Sequence, residues 1–132
     1  MDTTSARAAA LWIALHLILL LGLSLLVVRQ RNKHKVLIGD GGAQELILAG
    51  RAFGNATEYV PAGLAALVAL ALVQAPALMI HVAGGALLAG RLAHAYGISR
   101  TEALSRGRAI GMTLTWLTYI FASVTLLYYA IR

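Results

Sequence analysis

Arg51, Asn55 and Glu58 stand at i, i+4 and i+7, with Tyr59 beside the last of them. On an α-helix this spacing stacks a guanidinium, an amide and a carboxylate on one face over two turns. They occupy the head of an apolar run that ends near Val73, and Pro61 follows inside the same pattern. Such groups are costly in lipid, so they need polar partners or a ligand. Arg29, Arg91, His94, Tyr96 and Arg108 stand at the ends of the other apolar runs. Guanidinium groups take carboxylates or phosphates in two-pronged fashion. A carboxylate takes an ammonium, and an amide reads a peptide bond or a carboxylate. A small zwitterionic peptide with several acid groups satisfies the whole set. An internal network of ion pairs satisfies much of it too, and the residues alone leave both open.

The elements that must hold these groups are membrane helices. Apolar residues make up 60% of the 132 and charged residues 12%. Several windows reach the roughly 20 uncharged residues that cross a bilayer. The apolar runs are continuous rather than alternating, which excludes a β-barrel pattern. The chain is therefore read as one all-α integral membrane domain of four spans, at about 8–28, 44–73, 77–97 and 106–129. Eleven Lys and Arg against five Asp and Glu give a net charge of +6. The basic residues gather at helix ends, as flanks of spans do, and no aromatic-basic surface points to nucleic acid. There are no cysteines, so thiolate metal sites, disulfides and a cysteine nucleophile are excluded.

Span one carries Trp12 near its start and His16 within it, and a basic stop, Arg29 to Lys35, follows. That stop reads as a topological anchor, or as a source of one inward arginine, Arg29 or Arg31. Gly39-Asp40-Gly41-Gly42 reads as a turn. Pro61 removes an amide donor and frees a carbonyl near Thr57, which favours a kink beside the polar face. Gln74-Ala75-Pro76 is an uncharged turn. Span three holds Gly84, Gly85 and Gly90 among alanines, a surface for close packing, and Gly97 reads as its stop. Ile98 to Glu102 is then a connection. Met112, Thr113, Thr115, Thr118 and Tyr119 give span four a mildly polar stripe. The basic loops follow spans one and three, which places both termini on the non-cytoplasmic side and every polar cluster at the cytoplasmic end. No phosphate-binding loop, zinc motif or nucleophile elbow is present, and no ligand spacing supports a metal.

Arg51-x3-Asn55-x2-Glu58-Tyr59-x-Pro61 on the second of four spans resembles the MAPEG family, the membrane-associated proteins of eicosanoid and glutathione metabolism. The Gly39-Asp40-Gly41-Gly42 turn and the Arg91-x2-His94 step resemble its bacterial members, which live in the inner membrane. The resemblance implies a homotrimer with glutathione bound between subunits. It implies glutathione contacts from Arg51, Asn55, Glu58, Tyr59, His94 and Arg29, and a thiolate-stabilising role for Arg108. It also implies a transferase or peroxidase acting on a lipophilic substrate that enters by a groove between helices one and four. Ile98 departs from the pattern, since several characterised members carry tyrosine there, and Tyr96 is out of register for that role. A glutathione-binding protein of the same fold without turnover is the alternative. A small multidrug-type transporter fits less well, because such proteins place a carboxylate in mid-helix one and this chain has none there.

Overall fold

The structure, a computed structural model, describes residues 3–101, 103 and 105–132. Four helices follow one another up and down: α1 (Thr3–His34), α2 (Gln44–Leu72), α3 (Ala77–Arg100) and α4 (Arg106–Ile131). All four are long and apolar enough to cross a membrane, and the chain is an all-α four-helix integral membrane protein. Large apolar side chains point outward along their length, among them Leu21 and Leu25 on α1 and Ile120 and Val124 on α4. That inversion suits lipid, whose tails are as apolar as leucine.

The helices are not arranged as a closed ring. α2 and α3 touch every other helix, whereas α1 and α4 do not touch each other. A groove walled by helices one and four together is therefore not formed within the single chain. Two apolar clusters fill the interior. One joins Ala8, Leu67, Leu70, Ile80 and Ala122 at the end holding the α2–α3 turn. The other joins Leu23, Ala52, Ala56, Val60, Ala95 and Ile98 toward the opposite, basic end.

Small residues decide how closely the helices approach. Along the α3–α4 seam, a Cβ on Gly90 would lie 2.9 Å from the Gly111 carbonyl oxygen, and one on Gly107 would lie 2.8 Å from that of Ala93. Gly97 belongs to this seam rather than ending the helix. A Cβ there would meet Ser105 Oγ at 2.6 Å and the Arg108 amide at 2.7 Å, and α3 runs on through it to Arg100. Glycine was read as a stop, but here its missing side chain admits a neighbouring backbone, as small-residue seams do in membranes. Glu102, at the end of the expected connection, lies outside the described residues. Elsewhere Gly84 makes room for the Trp12 indole and Gly63 for Leu87.

Polar groups inside the bundle are largely absorbed locally. Thr115, Thr118 and Thr125 are buried and donate to the carbonyls of Gly111, Leu114 and Phe121 on their own helix, each at 2.8 Å. These three hydroxyls are thus satisfied within α4 itself. His16 is fully buried, with Nδ1 2.6 Å from the Trp12 carbonyl. His81 Nδ1 accepts from the Trp12 indole at 3.1 Å. Ser5 donates to the Ala75 carbonyl at 2.7 Å, pinning the start of α1 to the α2–α3 turn, where Gln74 takes a positive φ of 58°.

At the basic end, α1 continues beyond the expected 28 through His34. The connection is held by Arg31, whose guanidinium donates to the carbonyls of Leu37 and Gly39 at 3.1 and 3.0 Å. Asp40 accepts from the Gly42 amide at 2.9 Å, and Gly39, Gly41 and Gly42 all have positive φ. Lys33 and His34 both pair with Glu45 on the first turn of α2.

Candidate functional site

The up-down order brings the C-terminal ends of α1 and α3 to the same level as the N-terminal ends of α2 and α4. Arg51, Gly54, Asn55, Glu58, His94, Ile98 and Arg108 there line one open cleft of about 280 Å³. The i, i+4, i+7 face of α2 forms one wall, His94 and Ile98 on α3 the floor, and Arg108 on α4 the far side. Ser105 caps α4 by accepting from the Arg108 amide at 3.3 Å. The glycine seam then sets the distance from α4 to His94. The Arg108 guanidinium donates to the Ala103 carbonyl at 3.1 Å.

Arg91 lies beneath this cleft and is 1% exposed. Among the expected cluster it is the most deeply buried, with His94 at 6% exposure next. Its guanidinium donates to Asn55 Oδ1 at 2.8 Å and to the Gly111 carbonyl at 3.4 Å, and it sits 5.1 Å over the Tyr59 ring. Its Nε has no partner among the described residues. Arginine cannot accept a hydrogen bond, so this contact forces the Asn55 amide to present its oxygen to Arg91 and its NH2 to the cleft. The charge is held by dipoles and an aromatic face rather than by an acid.

Among the described residues, Glu58 forms no ion pair with Arg51, Arg91 or Arg108; the ion pairs are those of Glu45. Among the described residues, internal pairing of Glu58 with Arg51 or Arg91 is therefore not what occupies those three side chains. Glu58 and Arg51 are both exposed at the cleft. The cleft thus presents two guanidiniums, an amide NH2 and an imidazole against a single carboxylate.

The structure does not bring every expected residue to this wall. Tyr59 turns away toward α4, where its ring lies between Arg91 and Tyr119 and its carbonyl accepts a short bond from the Tyr119 hydroxyl. Arg29 is exposed on α1 and does not line the cleft. Arg31 is committed to the loop. Tyr96 is exposed and packs under Arg100.

Sequence reasoning missed the cleft's neighbour. His94, Arg108, Ala109, Met112, Thr113 and Trp116 line an adjoining groove of about 330 Å³ that is mostly apolar. Trp116 opens it to the lipid-facing side of α4. His94 and Arg108 belong to both hollows. The signal was available: Arg108, Met112 and Trp116 follow at i, i+4 and i+8, one helical face that starts basic and ends apolar. No cluster of three or more His, Asp or Glu suited to a metal occurs among the described residues.

The MAPEG family profile matches residues 9–128. The inner membrane protein YecN of Escherichia coli K12 is 39% identical over 121 residues, which cover 92% of this chain and 91% of that one. The YecN of strain CFT073 matches to the same extent. No solved structure matches.

Proposed function

The chain belongs to the MAPEG family, and on that premise we propose that it binds glutathione in the polar cleft and activates its thiol against a lipophilic electrophile or hydroperoxide. The observation that carries the proposal is the sharing of His94 and Arg108 between a polar cleft and an apolar groove. A polar thiol peptide and a bilayer-soluble partner would meet at that border.

Glutathione carries two carboxylates and one ammonium. Arg51 and the Asn55 NH2 suit the carboxylates, and Glu58 suits the ammonium. The thiol resembles that of cysteine, with an ordinary pKa of about 8.5. A guanidinium within about 4 Å favours the thiolate, each unit of lowering being worth about 1.4 kcal/mol. Arg108 is assigned that role. In conjugation the thiolate sulfur forms a bond to carbon, the leaving group departs with its electron pair, and the thiol proton passes to water.

The same reading makes the assembly a homotrimer in the bacterial inner membrane, with the cleft on the cytoplasmic side and both termini on the other. It gives Tyr59 and Arg29 their places at a subunit boundary, and the lipophilic groove its second wall from a neighbouring α1. A second reading is favoured by Ile98. It lines the cleft where several characterised relatives carry tyrosine, and it offers no hydroxyl to a bound thiol. On that reading the protein binds glutathione without turnover.

Titrating glutathione into the detergent-purified protein near pH 7 separates these possibilities. Thiolate absorbance that rises on binding and vanishes in Arg108→Ala supports activation. Binding without thiolate supports the second reading. No binding at millimolar glutathione in folded protein overturns both.

A further inference from the structure

Met112 lines the apolar groove and takes no part in the chemistry assigned above. It stands near the start of α4, about 9 Å along the axis from Arg106, and is half-buried. Its thioether meets two surroundings. On one side it shares the groove with His94, Arg108 and Trp116. On the other, its Sδ accepts from Arg91 Nη2 at 3.4 Å.

A thioether is a weak acceptor, and here it is offered to a buried cation. Arg91 is 1% exposed, and its Nε has no partner among the described residues. The second contact of Nη2, to the Gly111 carbonyl, is also long at 3.4 Å. Only the Nη1 bond to Asn55, at 2.8 Å, is short. The inward side of Met112 therefore borders more donors than good acceptors. An oxygen on the sulfur would supply the acceptor that is missing, and the flexible, unbranched side chain can turn it inward.

We propose that Met112 is an oxidation site, converted to the sulfoxide by a lipophilic organic hydroperoxide in the groove, with Arg91 holding the transferred oxygen. The Sδ lone pair forms a bond to the distal peroxide oxygen and the O–O bond breaks. The departing oxygen keeps that bond's electron pair and takes the hydroperoxide proton, leaving as an alcohol. Sulfur is oxidised by the two electrons that reduce the peroxide. Negative charge grows on the transferred oxygen during this step, and in lipid only a built-in donor can stabilise it. The proposal rests on the reading that the groove admits bilayer-soluble molecules, but it needs no glutathione. The sulfoxide puts a polar group where the groove had an apolar one, and reduction by a sulfoxide reductase restores the thioether.

The test is peptide mass spectrometry of the detergent-purified full chain after exposure to cumene hydroperoxide, with glutathione left out. Met79 is the internal control. It is half-buried like Met112 but stands in the first turn of α3, at the opposite end of the bundle. Met112 should be oxidised about ten-fold faster, the worth of one charge-assisted hydrogen bond to the transferred oxygen. Equal rates, or faster oxidation of Met79, overturn the proposal. Met112→Gln sets a carbonyl oxygen near the place of the sulfoxide oxygen. It should melt at least as high as Met112→Leu, because a buried amide oxygen costs stability unless a donor meets it. A lower melt overturns the assignment of Arg91. Selective oxidation of Met112 in a chain that fails to bind glutathione would leave this proposal standing and sink the earlier one. Glutathione binding without that selectivity would do the reverse.

Discussion

Gly111→Ala is a small change that should disturb the site without replacing a cleft residue. A Cβ at Gly111 would stand 2.5 Å from the Gly90 carbonyl oxygen and 2.7 Å from the His94 amide nitrogen. Both are backbone atoms of α3, so no rotamer change can relieve the contact. Ordinary contact begins near 3.4 Å, so α3 and α4 must part by about 0.9 Å. Overpacking of this kind costs about 1–3 kcal/mol. The helix-propensity gain of glycine to alanine, about 0.5–1 kcal/mol, works the other way. Gly22→Ala supplies the control: it carries the same gain and has no atom within 4 Å. Thermal denaturation in detergent should place Gly22→Ala at or above the parent and Gly111→Ala below it, separated by about 1–3 kcal/mol. The displacement also parts Arg108 from His94 and loosens the Gly111 carbonyl from Arg91. A misplacement of about 1 Å can cost 10²-fold in a positioned reaction, so thiolate formation should fall further than glutathione affinity. If the two alanine variants melt together, the α3–α4 seam is not close-packed and the placement of His94 against Arg108 loses its basis.

Three further outcomes follow from single contacts. Asn55→Ala removes the short acceptor of a buried guanidinium and should lower stability by about 1.5–3 kcal/mol, read as a melting shift in detergent; an unchanged melt would mean Arg91 finds another partner at no cost. Arg51→Ala should weaken glutathione binding more than Glu58→Gln, measured by calorimetry, with little effect on melting because Arg51 is exposed and makes no ion pair with the cleft's acid; a large melting shift with unchanged affinity would restore a structural role. Ser5→Ala should cost about 1–2 kcal/mol by stranding the buried Ala75 carbonyl, and hydrogen exchange at the start of α1 should rise while the cleft keeps its affinity.

What could be read in advance differed from residue to residue. Arg51, Asn55 and Glu58 were legible as one wall because helical periodicity alone puts them together, and the cleft is built on that face. His94 and Arg108 were legible as neighbours because alternating spans return their ends to one level. Arg91 was legible as polar and as belonging to the cluster, but not as buried. A charge at the end of an apolar run normally marks the water boundary, and nothing local announces that Asn55, Tyr59 and a carbonyl will enclose it. Gly97 was misread because a glycine near a run's end looks the same whether it caps a helix or admits a neighbour. Tyr59 was placed on the edge of the polar face. It turns to Tyr119 instead, since one residue adds about 100° around the axis. The openness between α1 and α4 was invisible, because composition describes a helix's faces without saying which neighbour each one meets.

The Asn55–Arg91 contact sets stability and recognition against each other. A carboxylate at position 55 would give Arg91 its missing counter-ion, and the folded chain would gain from the exchange. The same exchange would replace the cleft's amide donor with an acceptor and turn it against the acid groups of a peptide. Asn55→Asp should therefore melt higher and bind glutathione more weakly. Selection for robustness alone would drift toward aspartate, so the neutral amide over an unneutralised arginine is the kind of compromise that a requirement to hold an anion preserves.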